Sequence, residues 1–510
     1  MKKIETKRFI YMAAAFSLLL CGCSKEDAYH QDDADNAIGT VLSLQVNAAA
    51  YQSSTGTRAT DAELTTTFTS GDRLGVIITH QSGSTEHTVY TYNGSAWTSF
   101  APAYYDPQDT YAAYYPYKES LQDKNTLADV KSAFTPLTDQ SDYSTGYTAS
   151  DLMTCESATM NTTNKTLSIT LTHAFSMLRM PANIPVKIKC GDGKTYEYSL
   201  PGITDIAFHI GDVPYRAWVD GDGYARLIIS NSGSDIAVKS CYTFQGERAE
   251  TSCTISSFAS GQYYTVALPR ADLGEYQLSN ARVGDFYIKS SDGQSGFVFP
   301  KEALSLPESL KSSCLGVVLK VGKDESDDWK DDCQYKKKDG STTMSTINGY
   351  VLALHDANGG SYCQWGSYNT KVDHADMNRE RYTGFYGYKN TQAIISFNKS
   401  KSGTLSSAFP ATYYATVGYE ASYPAPANSS GWFLPSAGQC KYWLNNKETL
   451  LASVRKATGD SSYSWSYYWS SSEVSDIPAC YARYAGFGGS GGVSAGSKDD
   501  NSYVRSCLAF

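Results

Sequence analysis

The chain has 510 residues and a formal net charge of −9, and 41% of its residues are hydrophobic. At about 100–200 residues per domain, this length predicts two to four domains. The negative charge argues against a nucleic acid as partner, because nucleic acid binding depends on neutralising phosphates. The 40 tyrosines and 41 glycines, with frequent serine and threonine, are typical of strand-rich surface proteins.

The amino-terminal segment predicts export and lipid attachment. An apolar run from Phe9 to Leu20 follows a basic start. The run is shorter than the ~20 residues of a membrane-spanning helix, and it has the build of a cleaved secretory signal. It ends in Leu20-Cys21-Gly22-Cys23, which resembles a bacterial lipobox with Cys23 as the lipidated residue. Residues 1–23 are therefore predicted to be a lipoprotein signal peptide. A plain secretory signal with an incidental cysteine is the alternative.

Residues 24–37 are polar and are predicted to form a flexible tether. Their start, Ser24-Lys25-Glu26-Asp27, resembles the short signal that sends lipoproteins of Bacteroidetes-type bacteria to the outer face of the outer membrane. The predicted location is therefore the cell outer membrane, as a surface-exposed lipoprotein.

Short strands separated by turn signals fill the next part of the chain. Ile38–Asn47 alternates apolar and polar residues, which predicts a first strand. A Ser/Thr/Gly loop with Arg58 and Ala59 follows, and Tyr90–Trp97 alternates into an Asn-Gly turn typical of a hairpin. Helical periodicity is nearly absent up to residue 275, so the pattern predicts β-sandwiches.

Seven phrases in this part occur in the order that they have in the fimbrillin family of pilus subunits. They are Arg58-Ala59-Thr60, Gly71–Val76, Tyr92–Trp97, Ala113–Tyr117, Asp139–Asp142, Asp151–Met153 and Leu171–Phe175. The resemblance implies two transthyretin-like β-sandwiches, residues 38–175 and 176–278.

The same resemblance implies assembly by strand exchange. Fimbrillins are cut by a protease after an arginine that follows the first strand, so here Ile38–Asn47 would be lost and Arg58–Ala59 would be the cleavage site. The opened groove would accept a strand from another fimbrial subunit. The alternative is that Arg58 is a solvated loop residue and that the strand stays in place.

The composition changes near residue 283, after which six of the eight tryptophans occur. Ser436 and Gln439 have the spacing of a capping box, which predicts a helix start. Apolar residues at helical spacing follow, and strands are predicted around the helix. The helical residues are Cys440, Trp443, Leu444, Leu451 and Val454, and the strands are Leu315–Val321, Tyr350–Leu354, Tyr467–Trp469 and Val504–Phe510.

Several phrases of this part resemble the C-type-lectin-like core of bacterial extracellular modules, akin to the formylglycine-generating and major-paralogous-domain groups. They are Gly349–Leu354, Gln364-Trp365-Gly366, Gly387–Thr391, Gly431–Ser436, Tyr468–Glu473 and Val504-Arg505. The resemblance implies an α+β domain over residues 279–510 that presents a ligand surface. It does not imply calcium, since the residue pairs of sugar-binding C-type lectins are missing.

Two tryptophans are candidate ligand-binding residues. Trp365 and Trp465 have serine, tyrosine and glycine neighbours, and they could form an exposed aromatic platform for sugar rings. A buried position is the alternative for both, because aromatic side chains are buried on average. Trp432, Trp443 and Trp469 are predicted to be core residues.

The sequence does not predict an enzyme. The seven histidines are scattered without metal-ligand spacing, and neither a Gly-x-Ser-x-Gly motif nor a phosphate loop occurs. No catalytic residue, metal or cofactor is therefore assigned, and His173 is read as a structural histidine. Ten cysteines remain if Cys21 is removed with the signal and Cys23 is lipidated, and disulfides and buried thiols are equally compatible with their spacing.

Together these features predict a minor or tip subunit of a cell-surface fimbria that mediates adhesion. Val504–Phe510 matches the last core strand of its own domain, so it could not be donated to another subunit. The expected partners are other fimbrial subunits, a host or bacterial glycan or protein, and, before processing, the outer membrane through the lipid on Cys23. The alternative is a surface lipoprotein that binds glycans and never polymerises.

Overall fold

The computed structural model describes residues 39–53, 66–230, 233–327, 334–372, 384–488 and 491–510. Strands predominate over helices in the described residues, which confirms the mainly β prediction. The chain divides into two compact units. Among the described residues, unit 1 comprises 39–49, 66–134 and 153–172, and unit 2 comprises 50–53, 135–152 and the residues from His173 onward.

The first nine strands and one helix belong to the amino-terminal third. The strands are β1 (Ser43–Ala48), β2 (Gln52–Ser53), β3 (Arg73–Thr79), β4 (Thr85–Tyr92), β5 (Trp97–Thr98), β6 (Thr110–Tyr115), β7 (Met153–Cys155), β8 (Thr159–Asn161) and β9 (Thr166–His173). Helix α1 (Leu127–Ala133) lies between β6 and β7, and the Thr126 side chain caps it by accepting a hydrogen bond from the backbone N–H of Asp129.

Unit 1 is built on one sheet in the order β1-β9-β7-β6-β3-β4-β5, with β8 paired to β9. Alternation along β9 buries Leu167, Ile169 and Leu171 completely and leaves the residues between them more exposed. These three side chains join Leu74, Val76 and other apolar residues of the neighbouring strands in one hydrophobic core. The predicted first strand is present as β1.

Eleven further strands lead to residue 276. They are β10 (Ser176–Pro181), β11 (Asn183–Cys190), β12 (Thr195–Pro201), β13 (Ile203–Ile210), β14 (Val213–Arg216), β15 (Trp218–Val219), β16 (Tyr224–Ile229), β17 (Ile236–Phe244), β18 (Glu247–Ile255), β19 (Gln262–Thr265) and β20 (Ala271–Tyr276). They form three sheets, in the orders β15-β16-β10-β19-β2, β12-β11-β20 and β14-β13-β17-β18.

The rest of unit 2 mixes strands with helices. The strands are β21 (Phe286–Lys289), β22 (Gly296–Phe299), β23 (Cys314–Val321), β24 (Gly349–Ala353), β25 (Cys363–Gln364), β26 (Tyr467–Glu473), β27 (Tyr481–Gly486), β28 (Gly492–Ser497), β29 (Asn501–Ser502) and β30 (Cys507–Ala509). The helices are α2 (Glu308–Lys311), α3 (Gly387–Ser400), α4 (Leu405–Ala408), α5 (Pro410–Tyr413), α6 (Tyr419–Ser422), α7 (Ala437–Asn445) and α8 (Lys447–Thr458).

The predicted helix start is correct, but the helix is divided. Ser436 accepts a hydrogen bond from the Gln439 backbone N–H, and the Gln439 side chain bonds back to the Ser436 backbone N–H, as the capping box requires. Helix α7 ends at Asn445, and α8 begins at Lys447 after a break at Asn446. The break shifts the helical phase, so Leu450 rather than Leu451 is fully buried.

The hydrophobic core of unit 2 continues past residue 278. Tyr196 stacks on Phe297 with ring centroids 5.9 Å apart, and the Leu304 N–H donates to the Ser199 carbonyl oxygen at 2.9 Å. One cluster of buried apolar residues extends from Leu178 to Ala509. The domain boundary between residues 278 and 279 therefore stays a prediction. Buried side chains from both sides of it belong to one core.

The nine cysteines in the described part of the chain are free thiols, and most are buried. None of the helices in that part is both long and apolar enough to cross a membrane.

Candidate functional site

The first strand, β1, lies at one end of the sheet of unit 1. Its hydrogen-bonded neighbour in the sheet order is β9, and the two strands run parallel, from the pair Ser43–Thr166 to the pair Ala48–Leu171. Upstream of the strand, the Leu42 N–H donates to the Ala103 carbonyl oxygen at 2.9 Å. Residues 43–48 thus pair with β9, and residues 39–42 bond to residues 103–105.

The side chains of β1 alternate between solvent and core. Ser43, Gln45 and Asn47 are exposed, whereas Leu44, Val46 and Ala48 are half-buried and pack against the core of unit 1. Such a strand covers an apolar face without being enclosed by it. A different strand with the same alternation could make the same main-chain bonds and fill the same positions.

The chain that follows β1 is anchored in unit 2 by Tyr51, whose side chain is buried. Its hydroxyl donates to the Asp151 carboxylate at 2.7 Å, and its ring stacks on His173 with centroids 3.6 Å apart. Burial, followed by the nearby Asp151 charge, raises the pKa of the Tyr51 hydroxyl well above its ordinary value. The hydroxyl therefore stays protonated and acts as a hydrogen-bond donor.

His173 completes this buried group. Its Nδ1 lies 2.9 Å from Asp151 Oδ1, but its buried Nε2 has no hydrogen-bond partner in the part of the chain that the structure describes. The prediction of a structural histidine holds for one ring nitrogen only. Sequence reasoning missed Tyr51, which is a lone large side chain between three alanines and a serine-rich loop.

Beyond Tyr51, the short strand β2 extends a sheet of unit 2. Gln52 and Ser53 pair in parallel with Gln262 and Tyr263 of β19, and the Gln52 N–H donates to the Gly261 carbonyl oxygen at 2.8 Å. Residues 39–53 therefore contribute a strand to each unit. The predicted lipidation residue Cys23 and the predicted cleavage residues Arg58 and Ala59 lie outside the described residues.

The candidate ligand residue Trp365 is buried, so the prediction of an exposed platform is wrong there. Only 1% of its surface is exposed, and its indole N–H donates to the Ser470 carbonyl oxygen at 2.7 Å. The Lys498 ammonium lies 4.2 Å from the ring centroid, and Phe409 meets the ring edge-on. These partners occupy the surfaces that a sugar ring would need.

Trp465, the second candidate, is half-buried. Its ring meets Trp443 edge-on at 4.8 Å, and the Arg505 guanidinium lies 4.6 Å from its centroid. At least one part of the ring is therefore used inside unit 2, and its role in binding stays a prediction. Trp432, Trp443 and Trp469 are all buried, which agrees with their predicted core positions.

Charged groups inside the carboxy-terminal part are paired. Lys498 Nζ lies 2.5 Å from Glu473 Oε1, and both side chains are fully buried. Burial lowers the pKa of Lys498 and raises the pKa of Glu473, while their mutual attraction opposes both shifts. Arg505 similarly pairs with Asp356 at 2.6 Å.

Pairing offsets part of the cost of burying each of these charges. Within the described ranges, no group of three or more histidine, cysteine, aspartate or glutamate side chains is placed to hold a metal ion.

Residues 57–221 match the model of a family described as fimbrillin-like. This match confirms the resemblance to fimbrillins that the sequence phrases indicated, and it covers the sheet of unit 1 from β3 to β9 and the first strands of unit 2.

A particular relative extends the similarity over nearly the whole chain. The chain is 25% identical to a Bacteroides ovatus protein named "Putative fimbrium tip subunit Fim1C", over 95% of this chain and 97% of the relative.

Solved structures of bacterial surface proteins are also similar. A fimbrial protein from Bacteroides ovatus is 20% identical to this chain. The match covers 92% of this chain and 100% of that chain, with a TM-score of 0.37. A "putative cell adhesion protein" from Bacteroides uniformis is 16% identical. The match covers 46% of this chain and 93% of that chain, with a TM-score of 0.30.

Proposed function

We propose that this protein is a minor or tip subunit of a cell-surface fimbria. It loses its first strand by proteolysis and then accepts a strand from another subunit. The observation that carries the proposal is the position of β1, a half-buried strand at the end of a sheet, held by parallel pairing to β9. Its removal would uncover the apolar face formed by Leu167, Ile169 and Leu171, and an incoming strand would cover that face again.

An acceptor that does not donate is the role we favour. Residues 504–510 are all buried in the carboxy-terminal part, and β30 pairs with β24. On its other side, Cys507 exchanges two main-chain hydrogen bonds of 2.8 Å with Phe433. These residues are already used within their own fold, so they are not free to enter another subunit. The name of the Bacteroides ovatus relative, a fimbrium tip subunit, agrees with this role.

In this proposal the precursor is anchored to the outer membrane by a lipid on Cys23 and faces the cell exterior. Cleavage between Arg58 and Ala59 would release the lipid and the residues up to 58 together, which moves the subunit from the membrane into the fimbrium. The partners are other fimbrial subunits, through strand exchange.

The amino terminus of the mature protein on the cell surface tests this proposal. Ala59 as the first residue supports processing and assembly, whereas an acylated Cys23 as the first residue contradicts them. Arg58→Ala should keep residues 38–57 attached and reduce incorporation into fimbriae to background, because the acceptor groove stays filled. The matched control is Arg248→Ala, which removes an exposed arginine from β18. Normal incorporation of Arg58→Ala would refute the cleavage mechanism.

A second function, glycan binding by a lipoprotein that does not polymerise, is favoured by exposed aromatic rings in the carboxy-terminal part. Tyr362, Tyr368 and Tyr467 each expose more than half of their surface, and Trp465 is half-buried. Such rings suit the apolar faces of sugars. The same exposed rings would give a tip subunit its adhesive activity.

A glycan array with the full chain tests this binding. Tyr467→Ala and Trp465→Ala should lower the signal, and Tyr104→Ala, an equally exposed tyrosine of unit 1, is the control. The two functions are separated by the mature amino terminus, because only the lipoprotein keeps Cys23.

A further inference from the structure

The Tyr51 side chain occupies a slot between His173 and Asp151. Three features meet there, namely an aromatic face on His173, an acceptor oxygen on Asp151, and a buried His173 Nε2 without a hydrogen-bond partner among the described residues. A tyrosine side chain satisfies the first two at once, since its ring stacks and its hydroxyl donates. An aliphatic side chain can do neither, and phenylalanine can only stack.

Tyr51 lies on the segment whose release the proposed function requires. Cleavage after Arg58 would free Tyr51 together with β2, and unit 2 would then lose a buried side chain and one of the two strands paired with β19. An empty slot would leave the Asp151 carboxylate with fewer partners in a buried place, which is costly. An occupant that restores the stacking and the hydrogen bond is therefore favoured over an open slot.

We propose that unit 2 has its own acceptor site, formed by the edge of β19 and the slot between His173 and Asp151, and that it selects an incoming strand with a tyrosine in place of Tyr51. The proposal rests on the proposed function, since the slot opens only if the segment leaves. It adds a selection rule to strand exchange, because main-chain pairing along β19 is independent of sequence and the slot is not.

Competition binding tests this selection. The purified full chain is cut after Arg58 with an arginine-specific protease, and a fluorescent peptide of residues 39–57 is bound to it. Unlabelled peptides then compete, with the wild-type sequence, Tyr51→Phe, Tyr51→Ala, or Gln45→Ala as a control at an exposed position of β1. We expect Tyr51→Phe to compete about 10-fold less well, because one hydrogen bond to a charged group is lost. Tyr51→Ala should be weaker by about 100-fold or more, and Gln45→Ala should equal the wild type.

A receptor variant separates the slot from general effects on folding. In Asp151→Asn, the advantage of the tyrosine peptide over the phenylalanine peptide should shrink from about 10-fold to less than 3-fold, because the charged acceptor is gone. This comparison is made within one receptor, so a uniform loss of stability does not mimic it.

The outcomes distinguish the two proposals. If the wild-type peptide binds and the Tyr51→Ala peptide competes equally well, the selection rule is overturned and strand exchange stands. If the wild-type peptide does not bind to the cut protein at all, the acceptor groove and the slot are both refuted. An unchanged preference for tyrosine in Asp151→Asn would also overturn the assignment of the slot.

Discussion

The first strand, β1, and the last, β30, both contribute to sheets, but they are held in opposite ways. β1 pairs in parallel with β9, and none of its six side chains is fully buried. β30 is fully buried, with β24 on one side and Phe433 on the other. A strand with one partner and a half-exposed face can be exchanged at low cost, whereas removal of an enclosed strand disrupts the interior around it.

The largest expected effect is on the enclosed strand. Leu508→Ala should lower the free energy of unfolding of unit 2 by about 2–5 kcal/mol, because a fully buried leucine leaves a cavity. Urea unfolding followed by tryptophan fluorescence measures it, since Trp97 is the one tryptophan described in unit 1. A loss below about 1 kcal/mol would mean that β30 is not enclosed as described.

The stability of the fold around β30 is also expected to depend on pH. Tyr335 and Tyr350, which lies on β24 beside β30, donate hydrogen bonds to Asp327, and burial raises the pKa of Asp327 to about 6. In the folded protein Asp327 therefore holds its proton to a higher pH than in the unfolded chain, where its pKa is about 4. Its contribution to stability is largest below pH 4 and is lost as the pH rises through 6.

Asp327→Asn should remove this dependence. Relative to the wild type, the variant should gain roughly 1–2 kcal/mol in unfolding free energy between pH 4 and pH 7, because the amide stays neutral. Urea unfolding at several pH values measures the difference. Identical pH profiles for the two proteins would contradict the raised pKa. The strand β1 carries no ionisable side chain, so it contributes no such dependence of its own.

The smallest expected effect is on the exchangeable strand. Val46→Ala should cost only about 1 kcal/mol in the stability of unit 1, because the side chain is half-buried and the neighbours can partly close the gap. Hydrogen exchange of the β9 amides measures it, with Gln45→Ala, an exposed position, as the control. A cost equal to that of Leu508→Ala would remove the difference between the two strands.

Local signals in the sequence were sufficient for some features and not for others. The alternation that predicts β1 and the capping box at Ser436 depend on residues within a few positions of each other. The partners that bury Trp365 are more distant, since Ser470 lies 105 positions away. Serine and glycine neighbours therefore suggested exposure where the fold provides a core.

Tyr51 was missed for the same physical reason. Its partners Asp151 and His173 come from β-rich segments about a hundred residues later, and nothing near Tyr51 indicates them. The break at Asn446 was also not evident, because the apolar spacing on both sides of it fits one continuous helix. The resemblance to fimbrillins could be recognised because it depends on the order of many weak phrases over a long stretch.

The parallel pairing of β1 with β9 has a consequence for how the protein folds. Ser43 and Thr166, which face each other, are 123 positions apart in the chain. Closing so long a loop is slow, and β1 cannot pair with β9 until the intervening strands and β9 itself have been synthesised. We therefore expect β1 to dock late, onto a sheet that has already formed without it. The strand that we propose is removed by proteolysis is then also the last to pair. Each molecule therefore passes through a state with an unfilled groove while it folds.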